Sequence, residues 1–143
     1  PTQPKGVGHT KAVTDLILFE SAAGTFVLSS SLDGTVKAWN GSDGQCMFSE
    51  GHGQGVTSMA LSSDLKQNPL LLVGLEGGDI MVRSVLATAT SPAFCLLLKL
   101  SNKYTRCHSS AVNSIRPGPS NTFYTAGADG KLIVWQVAGD FGL

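Results

Sequence analysis

Charge is scarce in this sequence and has no net sign. Ten lysines and arginines face ten aspartates and glutamates in 143 residues, so the formal net charge is zero and no long-range field draws the chain toward nucleic acid or an anionic membrane. Cysteine is scarce too. The three present, Cys46, Cys95 and Cys107, cannot all pair and match no zinc spacing, which points away from a disulfide scaffold or a metal site and toward a reducing compartment, cytoplasm or nucleus. No apolar run is long enough for a membrane-spanning helix, and Pro1-Thr2-Gln3-Pro4-Lys5 has no signal-peptide core. Neither membrane contact nor a cofactor is expected. Catalytic signatures are missing as well: there is no Gly-x-Ser-x-Gly elbow, and Gly74-Leu75-Glu76-Gly77-Gly78 lacks the lysine and following helix of a phosphate loop.

What the chain does hold is one stretch used twice. Ser29-Ser30-Ser31-Leu32-Asp33-Gly34-Thr35-Val36-Lys37-Ala38-Trp39 returns as Thr125-Ala126-Gly127-Ala128-Asp129-Gly130-Lys131-Leu132-Ile133-Val134-Trp135. A hydroxyl lies four positions before an Asp-Gly pair, and a tryptophan lies six after the aspartate. Each copy reads as a β-hairpin, because runs rich in β-branched and aromatic residues meet a turn whose Asp and Gly tolerate positive φ. A tryptophan packed between sheets needs an acceptor for its indole N–H, and a neighbouring Ser or Thr supplies one in little volume.

A second signal precedes the hairpins. Gly8-His9-Thr10-Lys11-Ala12-Val13, Gly51-His52-Gly53-Gln54-Gly55-Val56 and Cys107-His108-Ser109-Ser110-Ala111-Val112 each place a histidine four residues before a strand-opening valine. This is an internal repeat. Together the histidine, Asp-Gly and tryptophan spacings resemble the WD-repeat β-propeller family from Val7 to Val137. That resemblance implies four-stranded blades around a channel, with a hydrogen-bonded tetrad in each well-formed blade. The tetrads would be His9, Ser29, Asp33 and Trp39 in blade 1, and His108, Thr125, Asp129 and Trp135 in blade 3. The aspartate that usually follows the tryptophan is replaced by Asn40 and Gln136. In the middle repeat the aligned residues are Leu72, Glu76 and Val82, so apolar packing is expected to hold that blade.

The expected fold is therefore all-β, a partial propeller of about three blades. Blade 1 takes residues 7–50, a degenerate blade 2 takes 51–106, and blade 3 takes 107–143. Blades run to roughly 40–45 residues and rings need about 4–8 of them, so this is one arc, a piece of a longer chain or completed by other copies. Strands are expected at Val13 to Phe19, Thr25 to Ser31, Thr35 to Trp39, Gln45 to Ser49, Val56 to Leu61, Leu70 to Leu75, Ile80 to Val85, and Val112 to Ile115, with Ala93 to Leu100 a buried outer strand. Ser101 to Arg106 reads as a polar connector. The Gly-Asp-Phe-Gly tail makes a poor strand, so the outer edge of blade 3 is expected to be unpaired within this chain.

Candidate chemistry dissolves into structure on this frame. His9, His52 and His108 recur at one position in different blades, so they read as satisfied buried histidines rather than metal ligands. Cys107 and His108 are adjacent on an extended segment and should point apart. His9, Ser29 and Asp33 look like a hydrolase set, but the serine serves the tryptophan and the aspartate serves the turn. Lys99, Lys103, Tyr104 and Arg106 form the one basic and aromatic cluster, suited to a nucleic-acid backbone or to an ordinary solvated loop.

The resemblance also implies an upper rim, formed by the residues flanking each strand-opening valine and the one before the turn acid. Here these are Ala12, Thr14 and Leu32; Gly55, Thr57 and Leu75; Ala111, Asn113 and Ala128. They are small or apolar and uncharged, which suits a peptide or protein segment, with Leu32 and Leu75 as anchors. The expected function is a non-catalytic protein-interaction scaffold. The third blade also resembles the carboxy-terminal blades of CCCH zinc-finger proteins bearing WD repeats. That gives an alternative, an RNA-associated propeller whose nucleic-acid module lies outside this segment.

Overall fold

The computed structural model describes residues 8–21, 24–62, 70–89, 94–104, 107–119 and 122–136. These hold eleven strands and no helix. Blade 1 comprises β1 (Val13–Ser21), β2 (Gly24–Ser31), β3 (Thr35–Asn40) and β4 (Cys46–Gly51); blade 2 comprises β5 (Val56–Ser62), β6 (Leu70–Leu75), β7 (Ile80–Ala89) and β8 (Phe94–Tyr104). Blade 3 comprises β9 (Val112–Pro117), β10 (Thr122–Gly127) and β11 (Leu132–Gln136). Within each antiparallel sheet the strands neighbour one another in chain order, which is what short connections permit. The sheets stack in sequence as an arc that does not close into a ring.

Two apolar layers hold the arc together. Between blades 1 and 2 lie Phe19, Phe26, Leu28, Val36 and Ala38, packed on Val56, Met59, Leu71, Val73, Leu75, Met81 and Val85. Between blades 2 and 3 lie Ala60, Leu70, Leu72, Ile80 and Val82, packed on Val112, Ile115 and Phe123. Strand β6 shows the cause. Its residues alternate between the two layers, so both faces are buried, and its sequence is an unbroken apolar run rather than a half-polar one.

Polar ties cross the same two interfaces. The Thr14 hydroxyl donates to the Val56 carbonyl at 2.8 Å, and the Thr57 hydroxyl donates to the Val112 carbonyl. The amide of His52 donates to the Gly34 carbonyl at 2.8 Å and that of His108 to the Gly78 carbonyl at 3.2 Å. Each blade thus hands the same two bonds to the next.

The arc's two ends are apolar and open. Leu16 and Leu18 of β1 pair with Ser29 and Val27, on the face of blade 1 turned away from blade 2, and are 61% and 65% exposed. Leu132 and Val134 of β11 occupy the corresponding outer face of blade 3 and are equally open.

One expectation needs revision. Ser101 to Tyr104 is not a connector but the end of β8, which pairs with β7 along ten registered positions from Ile80 opposite Tyr104 to Ala89 opposite Phe94. Backbone pairing with a long neighbour holds even polar residues in a strand. The sheet of blade 3 has three strands among the described residues, with β11 at its edge. Residues 137–143, on which the unpaired outer edge depends, lie outside the described residues, as do the side chains of the expected buried strand Ala93 to Leu100.

Candidate functional site

The structure brings the four residues of each expected tetrad into one hydrogen-bonded chain. In blade 1, Trp39 Nε1 donates to Ser29 Oγ at 2.8 Å, Ser29 Oγ lies 2.7 Å from His9 Nε2, and His9 Nδ1 lies 3.1 Å from Asp33 Oδ2. In blade 3, Trp135 Nε1 donates to Thr125 Oγ1 at 2.9 Å, Thr125 Oγ1 lies 2.8 Å from His108 Nε2, and His108 Nδ1 lies 3.0 Å from Asp129 Oδ1. An indole can only donate and a carboxylate can only accept, so the direction runs from tryptophan to aspartate. Each hydroxyl is committed at both ends. Ser29, like Thr125, is buried.

The aspartates close the turns. Asp33 accepts from the Thr10 amide at 3.0 Å and from the Thr35 amide and hydroxyl at 2.9 and 2.6 Å. Burial alone would raise its carboxyl, but the Thr35 hydroxyl, the Thr10 and Thr35 amides and His9 together hold it well below the usual carboxylate range. Asp129 is placed likewise. Burial would raise it, and the amides of Ser109 and Lys131 with the His108 ring bring it down to about 2.

A buried hydroxyl that serves two partners is hard to replace. Thr125 is 1% exposed, and Thr125→Val keeps its shape while leaving both Trp135 N–H and His108 Nε2 without a partner. The expected loss is about 2–4 kcal/mol, read as a lower urea midpoint with unchanged slope. A loss below about 0.5 kcal/mol would show that the tetrad contributes little to stability.

Blade 2 differs from expectation by one residue. The amides of Leu32, Glu76 and Ala128 donate to the carbonyls of Ala12, Gly55 and Ala111, and Gly34, Gly78 and Gly130 share positive φ of 90, 96 and 83°. These equivalences place Val73, Gly77 and Arg83 at the hydroxyl, aspartate and tryptophan positions, instead of Leu72, Glu76 and Val82. Pairing agrees, since Arg83 faces Leu71 as Trp39 faces Val27. Apolar packing does hold the blade, but a polar cluster unforeseen from the sequence stands in the tetrad's place. Arg83 Nε donates to His52 Nε2 at 3.3 Å, and Arg83 Nη2 lies 3.6 Å from Glu50 Oε1 of blade 1. Burial, followed by the positive charge of Arg83, pushes His52 down to about 4, and the backbone at Glu50 and Gly34 offsets part of that shift.

The shift by one also corrects the rim. Leu75 is fully buried in the first apolar layer and cannot anchor a partner; the residue before the turn position in blade 2 is Glu76, which is exposed. Gly55 is buried beneath the Glu76 carboxylate, which accepts its amide at 3.1 Å. Thr14 and Thr57 are half-buried, and their hydroxyls are spent on the inter-blade bonds. Ala12, Leu32, Asn113 and Ala128 face solvent, and Ala111 is half-buried.

The remaining candidates take structural places. Cys107 packs against the second apolar layer, and burial, reinforced by the negative charge of Asp79, pushes its thiol up, which disfavours the thiolate a nucleophile needs. Tyr104 lies with its ring 5.2 Å from that of Trp135, so it is engaged with the core rather than offered to a base. Lys103 is exposed; Arg106 and the Lys99 side chain lie outside the described residues. Among the described residues no group of three or more His, Cys, Asp or Glu could hold a metal, and no helix is long and apolar enough to cross a membrane.

Stacked meander sheets, tetrads that face the preceding blade, and a rim built from turn residues define an arc of a β-propeller. A family model, WD domain, G-beta repeat, matches residues 2–40 and 99–136, more than half of the sequence. The chain belongs to the WD-repeat family. The unmatched interval holds most of blade 2, where valine, glycine and arginine replace the hydroxyl, aspartate and tryptophan and His52 is kept. Among solved structures the chain is similar to a computationally designed protein, Ika4, at 29% identity and a TM-score of 0.65, covering 92% of this chain and 70% of that one. It is also similar to U3-55K and to the WD40 repeats of RRP9, each at 22% identity and a TM-score of 0.66, covering 91% of this chain and 37% of theirs. At that identity the likeness shows the fold alone, and the chain spans little more than a third of those two structures. No curated protein sequence matches it. The WD-repeat fold is typical of interaction scaffolds and is generally non-catalytic.

Proposed function

We propose that this chain is a non-catalytic interaction scaffold of the cytoplasm or nucleus, and that its rim binds a peptide or protein segment. The observation that carries this is the composition of the exposed rim. Ala12, Leu32, Asn113 and Ala128 are small, apolar or neutral, and three of the four sit in or beside turns held by backbone bonds. A rigid surface of that kind costs little entropy to dock against. Leu32, 37% exposed, is the anchor. The exposed end faces, with Leu16, Leu18, Leu132 and Val134, support further blades beside this arc, from a longer chain or from other copies.

The test is Leu32→Asp combined with Ala128→Asp, scored by recovery of bound partner and by thermal unfolding of the same preparation. Loss of an apolar anchor is expected to weaken binding by about tenfold or more at unchanged melting temperature. Undiminished recovery from folded protein would remove the rim as the contact surface. Association that falls steeply with salt and depends on Lys103 would instead favour the RNA alternative.

A further inference from the structure

In blades 1 and 3 the turn aspartate gathers two donors from the loop before the first strand. Asp33 Oδ2 takes His9 Nδ1 and the Thr10 amide; Asp129 takes His108 Nδ1 and the Ser109 amide. The equivalent groups in blade 2 are His52 Nδ1 and the Gly53 amide, but the aspartate position is Gly77. His52 is 7% exposed, and its Nδ1 has no hydrogen-bond partner among the described residues.

Arg83 settles what that nitrogen carries. A guanidinium can only donate, so His52 Nε2 is the accepting nitrogen, and in a neutral imidazole the proton then sits on Nδ1. A buried N–H is therefore left without an acceptor, at the position where two sister blades hold a carboxylate. Gln54 stands in the way of that carboxylate. Its Oε1 accepts the Gly77 amide at 2.6 Å and lies 2.5 Å from where a Cβ on Gly77 would stand. It is the far end of a flexible, half-exposed side chain and can be displaced. Two acids flank the notch and are already engaged: Glu76 with the Gly55 amide, and Asp79 with Gln54 Nε2 at 3.3 Å. They repel a free anion, so a carboxylate would have to arrive on a segment that brings basic residues with it.

We propose that the rim of blade 2 is a binding site for an aspartate or glutamate side chain flanked by basic residues on a partner segment. Its carboxylate displaces Gln54, accepts from His52 Nδ1 and the Gly53 amide, and supplies in trans the acceptor that Gly77 cannot. This rests on the rim reading above and adds the chemistry of the group bound.

The probe is the capped tripeptide Lys-Asp-Lys, with Lys-Asn-Lys as its control, titrated into the isotope-labelled chain while the His52 ring nitrogens and the Leu32 amide are followed by NMR. The aspartate peptide is expected to move the His52 Nδ1 signal saturably and to bind about tenfold tighter than the asparagine peptide. Gln54→Ala, which opens the notch, should tighten binding several-fold, and Gly77→Asp, which fills it, should abolish the His52 response. A Leu32 shift without a His52 shift, or equal responses in wild type and Gly77→Asp, overturns the carboxylate site while leaving the rim reading intact. Silence of His52 in both wild type and Gln54→Ala overturns it as well, whether or not Gly77→Asp folds.

Discussion

Gly78→Ala is expected to destabilise the chain by more than about 3 kcal/mol, the largest effect of any single methyl added to it. Two causes add. Gly78 has φ of 96°, a conformation that costs a residue bearing Cβ about 1 kcal/mol. The new Cβ would also collide with the backbone carbonyl of His108, the residue whose amide bonds to Gly78 across the interface between blades 2 and 3. A backbone cannot swing aside as a flexible side chain can, so the third blade must shift or detach. The equivalent glycines grade the prediction. Gly130, φ 83°, has nothing within 4 Å of where an added methyl would stand, and Gly34, φ 90°, has the Gln54 carbonyl at 3.1 Å. Gly130→Ala should therefore cost about 1 kcal/mol, Gly34→Ala somewhat more and Gly78→Ala the most, as measured by urea midpoints. If all three cost the same, backbone strain alone explains them and the inter-blade contact carries no weight.

The same three glycines show why two blades were legible in the sequence and one was not. Tetrads 1 and 3 could be read because each step needs a particular chemistry: an indole to donate, a hydroxyl to relay, a carboxylate to accept. Their spacing survives in Trp39 and Trp135. Blade 2 has none of these, and its anchoring run Leu70-Leu71-Leu72-Val73 is apolar at every position because both faces of β6 are buried. Without alternation nothing marks which residue faces which blade, and a slip of one turns the whole strand over. That slip put Leu75 on the rim when it belongs to the core. One signal could have prevented it. Each Asp-Gly pair ends on the glycine of positive φ, so aligning Gly78, the second of the Gly77-Gly78 pair, with Gly34 and Gly130 brings Gly77 under aspartate and Arg83 under tryptophan. The roles of Thr14 and Thr57 had no comparable mark. Their acceptors, the carbonyls of Val56 and Val112, lie 42 and 55 residues away, and a threonine beside a strand-opening valine looks the same whether it faces a partner or the next blade.

Burial beside Arg83, which stands in the tryptophan position, makes blade 2 sensitive to acid through His52. His52 would take up a proton at about 6.5 in the unfolded chain and does so only at about 4 when folded, because burial and the neighbouring Arg83 charge oppose it. Between those values the unfolded state binds more protons than the folded one, so stability falls as pH drops from about 6.5 to about 4 and is unaffected by this group above or below that window. The gap corresponds to on the order of 3 kcal/mol, a large part of what a chain of this size has in hand. Asp33 and Asp129, held low by their turn donors, withdraw their contributions only in stronger acid, below the His52 window. Urea midpoints measured between pH 7.5 and 4.5 should fall steadily for the wild-type chain. His52→Gln retains an acceptor for the Arg83 guanidinium and removes the titrating ring, so its curve should be flatter by most of that amount. A wild-type curve that matches the His52→Gln curve across this range would mean that the imidazole is not held buried beside the guanidinium in solution.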